Sequence, residues 1–159
     1  MAKADVTAQR LREILVYCPD TGLFRWLAYG GVPAGCGGGD GYIRIGVDGR
    51  LYFAQRLAWL YVNGRWPEGD VDHINGRRAD NRICNLRQAT RSQNNINAVR
   101  PKDNTSGQKG VMASRGKWLA RIGVNRKKVF LGRFDSIEEA AQAYADAADR
   151  YYPGFAVKT

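Results

Sequence analysis

The segment Trp66-Pro-Glu-Gly-Asp-Val-Asp-His-Ile-Asn-Gly76 contains the single histidine of the chain, His73, directly after an aspartate. An apolar residue opens the strand-like part of this segment, and Asn75-Gly76 is a residue pair typical of a tight hairpin turn. The pattern therefore places the imidazole at the end of a strand, beside a turn. An imidazole can take a proton from water at neutral pH, and a neighbouring carboxylate can bind a divalent cation.

The pair of Asp72 and His73 supports two interpretations, because a histidine beside an aspartate is also common as a purely structural hydrogen-bonded pair. Consecutive residues of a regular strand point to opposite faces. The two side chains can act on one phosphate only if the strand bulges or ends between them. Residues further along supply amide oxygens for a hard cation and guanidinium groups for a phosphodiester: Asn81, Asn85, Asn94, Asn95, Asn97, Arg82, Arg87 and Arg91.

The residues before this segment predict two helices and a hairpin. Thr7 precedes apolar residues at helical spacing and predicts the start of the first helix. Asp48-Gly49, between two alternating runs, predicts a hairpin turn, and a second helix follows over residues 55–62. Seven of the twelve residues from Gly30 to Gly41 are glycines, which predicts a mobile loop without regular elements.

The C-terminal part predicts a three-stranded sheet covered by one helix. The three strands are residues 109–114, 117–124 and 127–134. Ser136, followed by Glu139, predicts a capping box at the start of the helix. The buried stripe of that helix is predicted to be Ile137, Ala140, Tyr144, Ala147 and Tyr151.

Strand alternation divides the side chains of this sheet into two sets. The set facing the helix is Val111, Trp118, Ala120, Ile122, Val129 and Leu131. The opposite, open face is basic and is predicted to bind DNA through Lys109, Met112, Ser114, Arg121, Lys128 and Phe130. For Met112 and Phe130 an alternative to DNA binding stays open, because these two side chains can instead pack under the N-terminal part of the chain.

The charge of the chain favours a polyanionic partner. The 159 residues carry a net charge of +10, and residues 100–134 contain ten basic side chains against one acidic. We therefore expect double-stranded DNA as partner and no small-molecule cofactor. The apolar runs are too short to predict a membrane span or a signal peptide, and three widely spaced cysteines without a C-x-x-C pair favour a reducing, cytoplasmic compartment.

Composition also predicts the domain organisation. Residues 100–108 are polar and rich in turn formers, which indicates a linker. We expect an N-terminal region of residues 1–99, whose core motif is 66–97, and a C-terminal domain of residues 109–159.

Three stretches resemble the HNH endonucleases of phages and mobile introns, which include homing endonucleases. They are Trp66 to Gly76, Asp80-Asn-Arg-Ile-Cys-Asn-Leu-Arg87 and Ala89-Thr-Arg-Ser-Gln-Asn94. Residues 41–59 look like the region that usually precedes this motif. Ser106-Gly-Gln-Lys-Gly-Val111, Gly116-Lys-Trp118, Leu131-Gly-Arg-Phe134 and 138–144 resemble the plant ethylene-response-factor (APETALA-type) DNA-binding domain.

The first resemblance implies an α+β fold with a ββα-metal (His-Me finger) nuclease domain, here followed by the sheet packed on one helix. It implies that His73 is the general base and that Asp72 and Asn94 bind one divalent cation, most simply Mg²⁺. Asn85 would brace the loop. The expected activity is hydrolysis of phosphodiester bonds in DNA, in the cytoplasm of a bacterial host.

Two positions depart from the family pattern. Gln55 stands where many relatives have a histidine, and Arg82 stands where some have a second one. These departures keep a second hypothesis open, a non-cutting, sequence-specific DNA-binding protein with a regulatory or packaging role. An RNA-directed nuclease is less favoured, since a sheet suited to the major groove of B-form DNA cannot enter the deep, narrow major groove of an RNA duplex.

Overall fold

The computed structural model describes residues 5–97 and 104–155. These residues form helices and small antiparallel sheets, as the α+β prediction states, and the chain divides into two compact units, Met1–Ala89 and Thr90–Thr159. The predicted boundary is the linker 100–108, whose residues 100–103 lie outside the described residues, so this boundary stays a prediction.

The first unit begins with helix α1, Ala8–Ile14, whose predicted start is confirmed because the Thr7 hydroxyl accepts a hydrogen bond from the Arg10 N–H at 3.1 Å. Strand β1, Leu15–Cys18, then pairs antiparallel with β2, Leu23–Trp26.

The glycine-rich segment contains two short strands, β3 at Pro33–Ala34 and β4 at Cys36–Gly37. The prediction of a segment without regular elements was therefore wrong. β3 extends the β1–β2 sheet, whereas β4 pairs with β5, Ile43–Val47. The backbone needs glycine between the two strands, since Gly35 has φ +99° and a Cβ there would lie 2.9 Å from the carbonyl oxygen of Arg44.

The predicted hairpin and second helix are confirmed. β5 pairs with β6, Arg50–Phe53, through a turn whose residues Asp48 and Gly49 both have left-handed φ values of 48° and 77°. Helix α2 spans Ala54–Asn63 and ends at Gly64 in the left-handed conformation. It buries an apolar stripe in the core of the first unit: Ala54, Leu57, Ala58 and Leu60.

The His73 segment forms a two-stranded antiparallel ribbon. Strand β7 is Asp70–His73 and strand β8 is Leu86–Ala89. A single helical turn, Ile83–Asn85, leads into β8. Helix α3, Arg91–Asn97, follows in the second unit.

The second unit contains the predicted sheet and helix. β9 is Val111–Ser114, β10 is Lys117–Val124 and β11 is Lys127–Phe134, in the order β11-β10-β9. Both predicted turns are present, with left-handed φ values at Arg115, Gly116, Asn125 and Arg126. The first strand begins at Val111, two residues later than predicted.

Helix α4, Ile137–Tyr151, covers one face of this sheet, and the Ser136 hydroxyl caps it by accepting from the Glu139 N–H at 3.2 Å. The side chains predicted to face the helix are buried or partly buried against it: Val111, Trp118, Ala120, Ile122, Val129 and Leu131. One helix residue was misassigned. Tyr151 is 42% exposed, and its neighbour Tyr152 is buried instead, donating its hydroxyl hydrogen to the Gly123 carbonyl.

Among the described residues, none of the helices combines the length and the apolar character that crossing a bilayer requires.

Candidate functional site

Asp72 and His73 are both buried near the end of β7, each 4% exposed. The pairing of β7 with β8 is regular, with Asp72 opposite Arg87 and His73 opposite Leu86, so the two side chains leave opposite faces of the ribbon. β7 ends at His73. The strand neither bulges nor ends between Asp72 and His73, and their action on one phosphate stays a prediction.

One nitrogen of the His73 imidazole is fixed by an asparagine. His73 Nε2 lies 3.1 Å from Asn81 Oδ1, while Asn81 Nδ2 donates to the Ala79 carbonyl at 3.3 Å. The second bond assigns the amide orientation, so the oxygen faces the imidazole and Nε2 is the donor. In the neutral ring the lone pair is then on Nδ1, which makes Nδ1 the basic atom.

Burial lowers the pKa of His73 below its ordinary value of 6.5, and the hydrogen bond from Nε2 to Asn81 and the charge of Asp72 oppose this shift. The net direction keeps the imidazole neutral at neutral pH. A neutral imidazole is the form that accepts a proton, so the site holds a base in its active protonation state.

The N-terminal hairpin holds Asn81 in place. The Tyr17 hydroxyl donates to the Asn81 carbonyl at 2.7 Å, and burial raises the pKa of Tyr17 to about 12, so this donor stays protonated. Gly22, in the turn between β1 and β2, contacts the same loop. A Cβ on Gly22 would lie 2.4 Å from the Arg82 backbone nitrogen.

Replacing Gly22 by alanine is therefore expected to lower the free energy of unfolding by about 2 to 5 kcal/mol. Two costs add up, that of a non-glycine residue in the left-handed conformation and that of the clash between the new Cβ and the backbone. Gly30 is a matched control, since its φ of +67° is similar to the +72° of Gly22 but no atom of the described residues lies within 4 Å of its added Cβ. Gly30→Ala should cost only about 1 to 2 kcal/mol. Urea unfolding of both variants measures the difference, and equal costs would contradict the close contact.

Asn85 connects the two ends of the loop between β7 and β8. Its Oδ1 accepts from the Asn75 N–H at 3.0 Å, and its Nδ2 donates to the Asp80 carbonyl at 2.8 Å. These are loop-bracing contacts. The importance of Asn85 for activity stays a prediction.

Arg82 belongs to the same loop. Its Nε and Nη2 donate to the two oxygens of Asp80 at 2.7 and 2.6 Å, and this guanidinium holds the pKa of the Asp80 carboxyl well below its usual range. At the position where some relatives have a second histidine, the chain therefore has a loop ion pair.

Asp72 forms a salt bridge that the sequence analysis did not find. Both Nε and Nη2 of Arg87 lie 2.8 Å from Asp72 Oδ2, and the side chains are 19% and 4% exposed respectively. The sequence contains a signal for this salt bridge, because an acidic and a basic residue directly opposite each other on paired strands attract each other. Finding it requires the register, in which Asp72 faces Arg87.

The donor set is compatible with magnesium. No three His, Cys, Asp or Glu side chains gather into a metal-binding group within residues 5–97 and 104–155. Magnesium, however, is usually bound by only one or two carboxylates together with substrate phosphate and water. Asp72 supplies one carboxylate. Asn94 lies on α3 in the second unit, where its N–H donates to the Thr90 carbonyl at 2.9 Å, and its sharing of a cation with Asp72 stays a prediction.

An aromatic and basic cluster lies beside the imidazole. The Tyr42 ring is 6.0 Å from the His73 ring and 5.3 Å from the Phe53 ring. Arg78 lies over Tyr42 at 4.9 Å, and Arg44 lies over Phe53 at 4.7 Å. Sequence analysis missed this cluster, because its members come from two strands and two loops that only the fold brings together.

Gln55, at the other departure from the family pattern, is 5% exposed on α2. Its Oε1 is buried and accepts no hydrogen bond within the described part of the chain. A buried polar oxygen without a protein partner is usually satisfied by water or a ligand.

The predicted DNA-binding residues divide into two groups. Met112, Arg121, Lys128 and Phe130 lie on the open face of the sheet, and Ser114 is at the end of β9 on that face. Lys109 lies outside the strand in which it was predicted, and its contact with DNA stays a prediction. It precedes β9, and its Nζ donates to the Asn95 and Ile96 carbonyls at 2.6 Å, so it fixes the C-terminal end of α3.

Comparison with a protein-family model identifies the same segment of the chain as the geometry of the site does. Residues 52–96 match the family model for HNH endonuclease. The chain is also 34% identical over 89 residues to "Protein 3.8" of Escherichia phage T7, an alignment that covers 54% of this chain and 74% of the phage protein. The chain belongs to the same family as this phage protein, and residues 52–96 form an HNH endonuclease domain.

The HNH match includes β7, β8 and the loop between them, and therefore Asp72, His73, Asn81 and Asn85. It ends at residue 96, so the resemblance of the C-terminal domain of this HNH protein to ethylene-response factors stays a prediction. No solved structure is significantly similar to the chain.

Proposed function

We propose that this protein is a metal-dependent DNA endonuclease in which His73 is the general base. The observation that carries the proposal is the buried imidazole whose Nε2 donates to Asn81, with its basic Nδ1 kept neutral by burial. The HNH endonuclease domain makes a nuclease the natural interpretation of this geometry.

The proposed reaction is hydrolysis of a phosphodiester. His73 Nδ1 accepts a proton from a water molecule as the water oxygen bonds to phosphorus. The bond from phosphorus to the 3′ oxygen then breaks, and that oxygen takes up a proton from solvent. The products are a 5′-phosphate and a 3′-hydroxyl. Asn81 keeps the imidazole in the required tautomer throughout.

Asp72 and Asn94 are proposed to hold one divalent cation, most simply Mg²⁺. When bound, the cation supplies positive charge to the scissile phosphate and the departing oxygen. Arg87 orients the Asp72 carboxylate before the cation binds.

The second unit is proposed to bind double-stranded DNA through the open face of its sheet. Phe130 is 61% exposed and Met112 is 38% exposed on that face, flanked by Arg121 and Lys128. Apolar side chains and cations together suit the base edges and phosphates of a major groove.

Incubation of supercoiled plasmid with the full chain tests the proposal. With Mg²⁺ we expect nicked or linear product carrying 5′-phosphate ends, and with a chelator we expect intact plasmid. A preparation of His73→Ala made in parallel excludes a contaminating nuclease. Intact plasmid with the wild type in Mg²⁺ or Mn²⁺ would overturn the proposal.

A non-cutting DNA-binding protein is the second candidate, favoured by one observation. Gln55 and Arg82 stand at positions where relatives have histidines, and Arg82 is engaged in the ion pair with Asp80. This candidate predicts that the wild type binds the plasmid and leaves it intact under every cation condition.

A further inference from the structure

A groove of about 850 Å³ runs through the second unit beside the sheet. Its walls come from one side of α3, the late part of β10, the turn between β10 and β11, and Tyr144 of α4. β9 pairs with Lys117–Ala120, so no strand among the described residues covers that edge of β10 over residues 122–124, and Ile122 and Gly123 line the groove there.

The charge of this groove is entirely positive. Six cationic side chains line it, and none of its described lining residues is acidic: Arg91, Lys109, Arg121, Arg126, Lys127 and Lys128. Within the described residues, five of these cations form no ion pair with a carboxylate: Arg91, Arg121, Arg126, Lys127 and Lys128. Unpaired cations that share a groove repel one another and lower the free energy of an anion bound between them.

The arrangement of the cations indicates a long polyanion. Lys127 pairs with Val124, three residues along β10 from Arg121, so the backbone positions of these two cations are about 10 Å apart along the strand, and Arg91 adds a third charge from α3. A site for one free phosphate instead gathers its donors around a point, usually with backbone N–H groups of a glycine-rich loop. Spread, flexible cations match the regularly spaced phosphates of a nucleic-acid strand.

We propose that this groove binds the phosphodiester backbone of duplex DNA, separately from the base contacts of the open face. The inference rests on the proposed DNA-directed function and adds a second binding surface to it. Arg121 and Lys128 then belong at the border between the two surfaces, whereas Met112, Ser114 and Phe130 belong to the open face alone.

Helix α3 connects this groove to the proposed chemistry. Arg91 and Asn95 are four residues apart and line the groove together, as do Ser92 and Ile96. Asn94, the proposed cation ligand, is not among the lining residues and lies about 100° around the helix from Asn95. A DNA strand in the groove therefore lies along the helix that carries this ligand. Contacts between the groove and the DNA backbone then set the register of the DNA along that helix.

Binding measurements on the full chain test the groove. We would use His73→Ala as background, so that DNA stays uncut, and add Arg91→Gln, Lys127→Gln or both. Arg150→Gln is the matched control, since Arg150 is exposed on α4, carries the same charge and does not line the groove. Anisotropy of a labelled duplex is measured over a series of chloride concentrations.

Each groove variant should weaken binding roughly three- to tenfold, equally for unrelated duplex sequences, and flatten the slope of log K against log salt by about 0.9. The double variant should flatten it by about twice as much. Arg150→Gln should leave both quantities within a factor of about two. An unchanged slope in the double variant would overturn the proposal.

Two further outcomes would also overturn it. If inorganic phosphate displaced DNA from the background protein but not from the double variant, at matched ionic strength, the groove would be a free-anion site. If an RNA duplex bound more tightly than DNA and lost more affinity in the double variant, the partner would be RNA. Every measurement is of DNA binding without cleavage, so the results do not depend on whether the wild type cleaves plasmid.

Discussion

Replacing His73 by glutamine is expected to slow plasmid cleavage by roughly 100- to 10,000-fold, which is the contribution of a positioned general base. Glutamine is chosen because its Nε2 carries hydrogens. It can keep the donation to Asn81 Oδ1 that His73 makes at 3.1 Å, while it has no basic nitrogen in place of Nδ1. The variant therefore separates the base from the hydrogen bond.

The control for folding is a comparison with His73→Ala. Alanine removes both the base and the donor and leaves the buried Asn81 oxygen without this partner, so it should unfold at lower denaturant concentration than glutamine. Both variants should bind the labelled duplex as the wild type does. Cleavage by His73→Gln within a few-fold of the wild-type rate would show that the imidazole is structural and that another group activates water.

Local interactions explain why part of the fold could be predicted. Thr7 and Ser136 were identified as helix caps, and Asp48-Gly49 as a hairpin turn, because each of these features depends on residues within four positions of one another. The HNH segment was identifiable for the same reason, since its aspartate and histidine are adjacent in sequence.

The supporting contacts of the site could not be predicted, because they join distant segments. Tyr17 and Asn81 are 64 positions apart, and nothing near Tyr17 indicates that its hydroxyl reaches a loop carbonyl. Arg87 was recognised as a possible phosphate partner, but its salt bridge with Asp72 depends on a strand register that the sequence leaves undetermined.

The two errors in the placement of residues have a common physical cause, the end of a regular element. Alternation placed Lys109 on the open face, but β9 begins only at Val111, and Lys109 instead donates to α3. Helical spacing placed Tyr151 in the buried stripe, yet it is the last residue of α4, and the C-cap residue Tyr152 takes the buried position. Periodicity is informative inside an element and loses its meaning where the backbone changes direction.

Replacing Arg87 by glutamine is expected to have opposite effects on the protein without and with a divalent cation. Without one, the free energy of unfolding should fall by about 1 to 3 kcal/mol, because the Asp72 carboxylate, 4% exposed, loses its salt bridge with Arg87. The cost is lower than for a fully buried pair, since Arg87 is 19% exposed and water can replace part of its contact.

With Mg²⁺ or Mn²⁺ present, the same variant should gain more stability than the wild type. The Arg87 guanidinium lies 2.8 Å from Asp72 Oδ2, so a cation held by this carboxylate is repelled by a positive charge a few ångströms away. Removing that charge should lower the half-saturating cation concentration about tenfold or more. Thermal unfolding at increasing cation concentration measures this, since a ligand of the folded state stabilises it by an amount that grows with the logarithm of the ratio of its concentration to its Kd.

Asp72→Asn supplies the decisive comparison, because it keeps the shape of the side chain and removes the charge that the cation needs. Its stability should not respond to divalent cations, and its cleavage rate should fall roughly 100- to 10,000-fold, as expected when several kcal/mol of transition-state stabilisation are lost. Arg50→Gln, which removes the exposed ion pair with Asp5, controls for a change in net charge and should respond to cations as the wild type does.

The double variant, with Asp72→Asn and Arg87→Gln together, separates the ion pair from the cation. It should recover much of the stability that Arg87→Gln loses, because no buried charge is left unpaired, and yet show no cation response. If instead the double variant were stabilised by Mg²⁺ as strongly as the wild type, the cation would bind elsewhere and the Asp72 salt bridge would be structural. The single carboxylate of Asp72 therefore serves two positive charges in turn, because the Arg87 guanidinium holds it in position until the cation and the DNA phosphate arrive together.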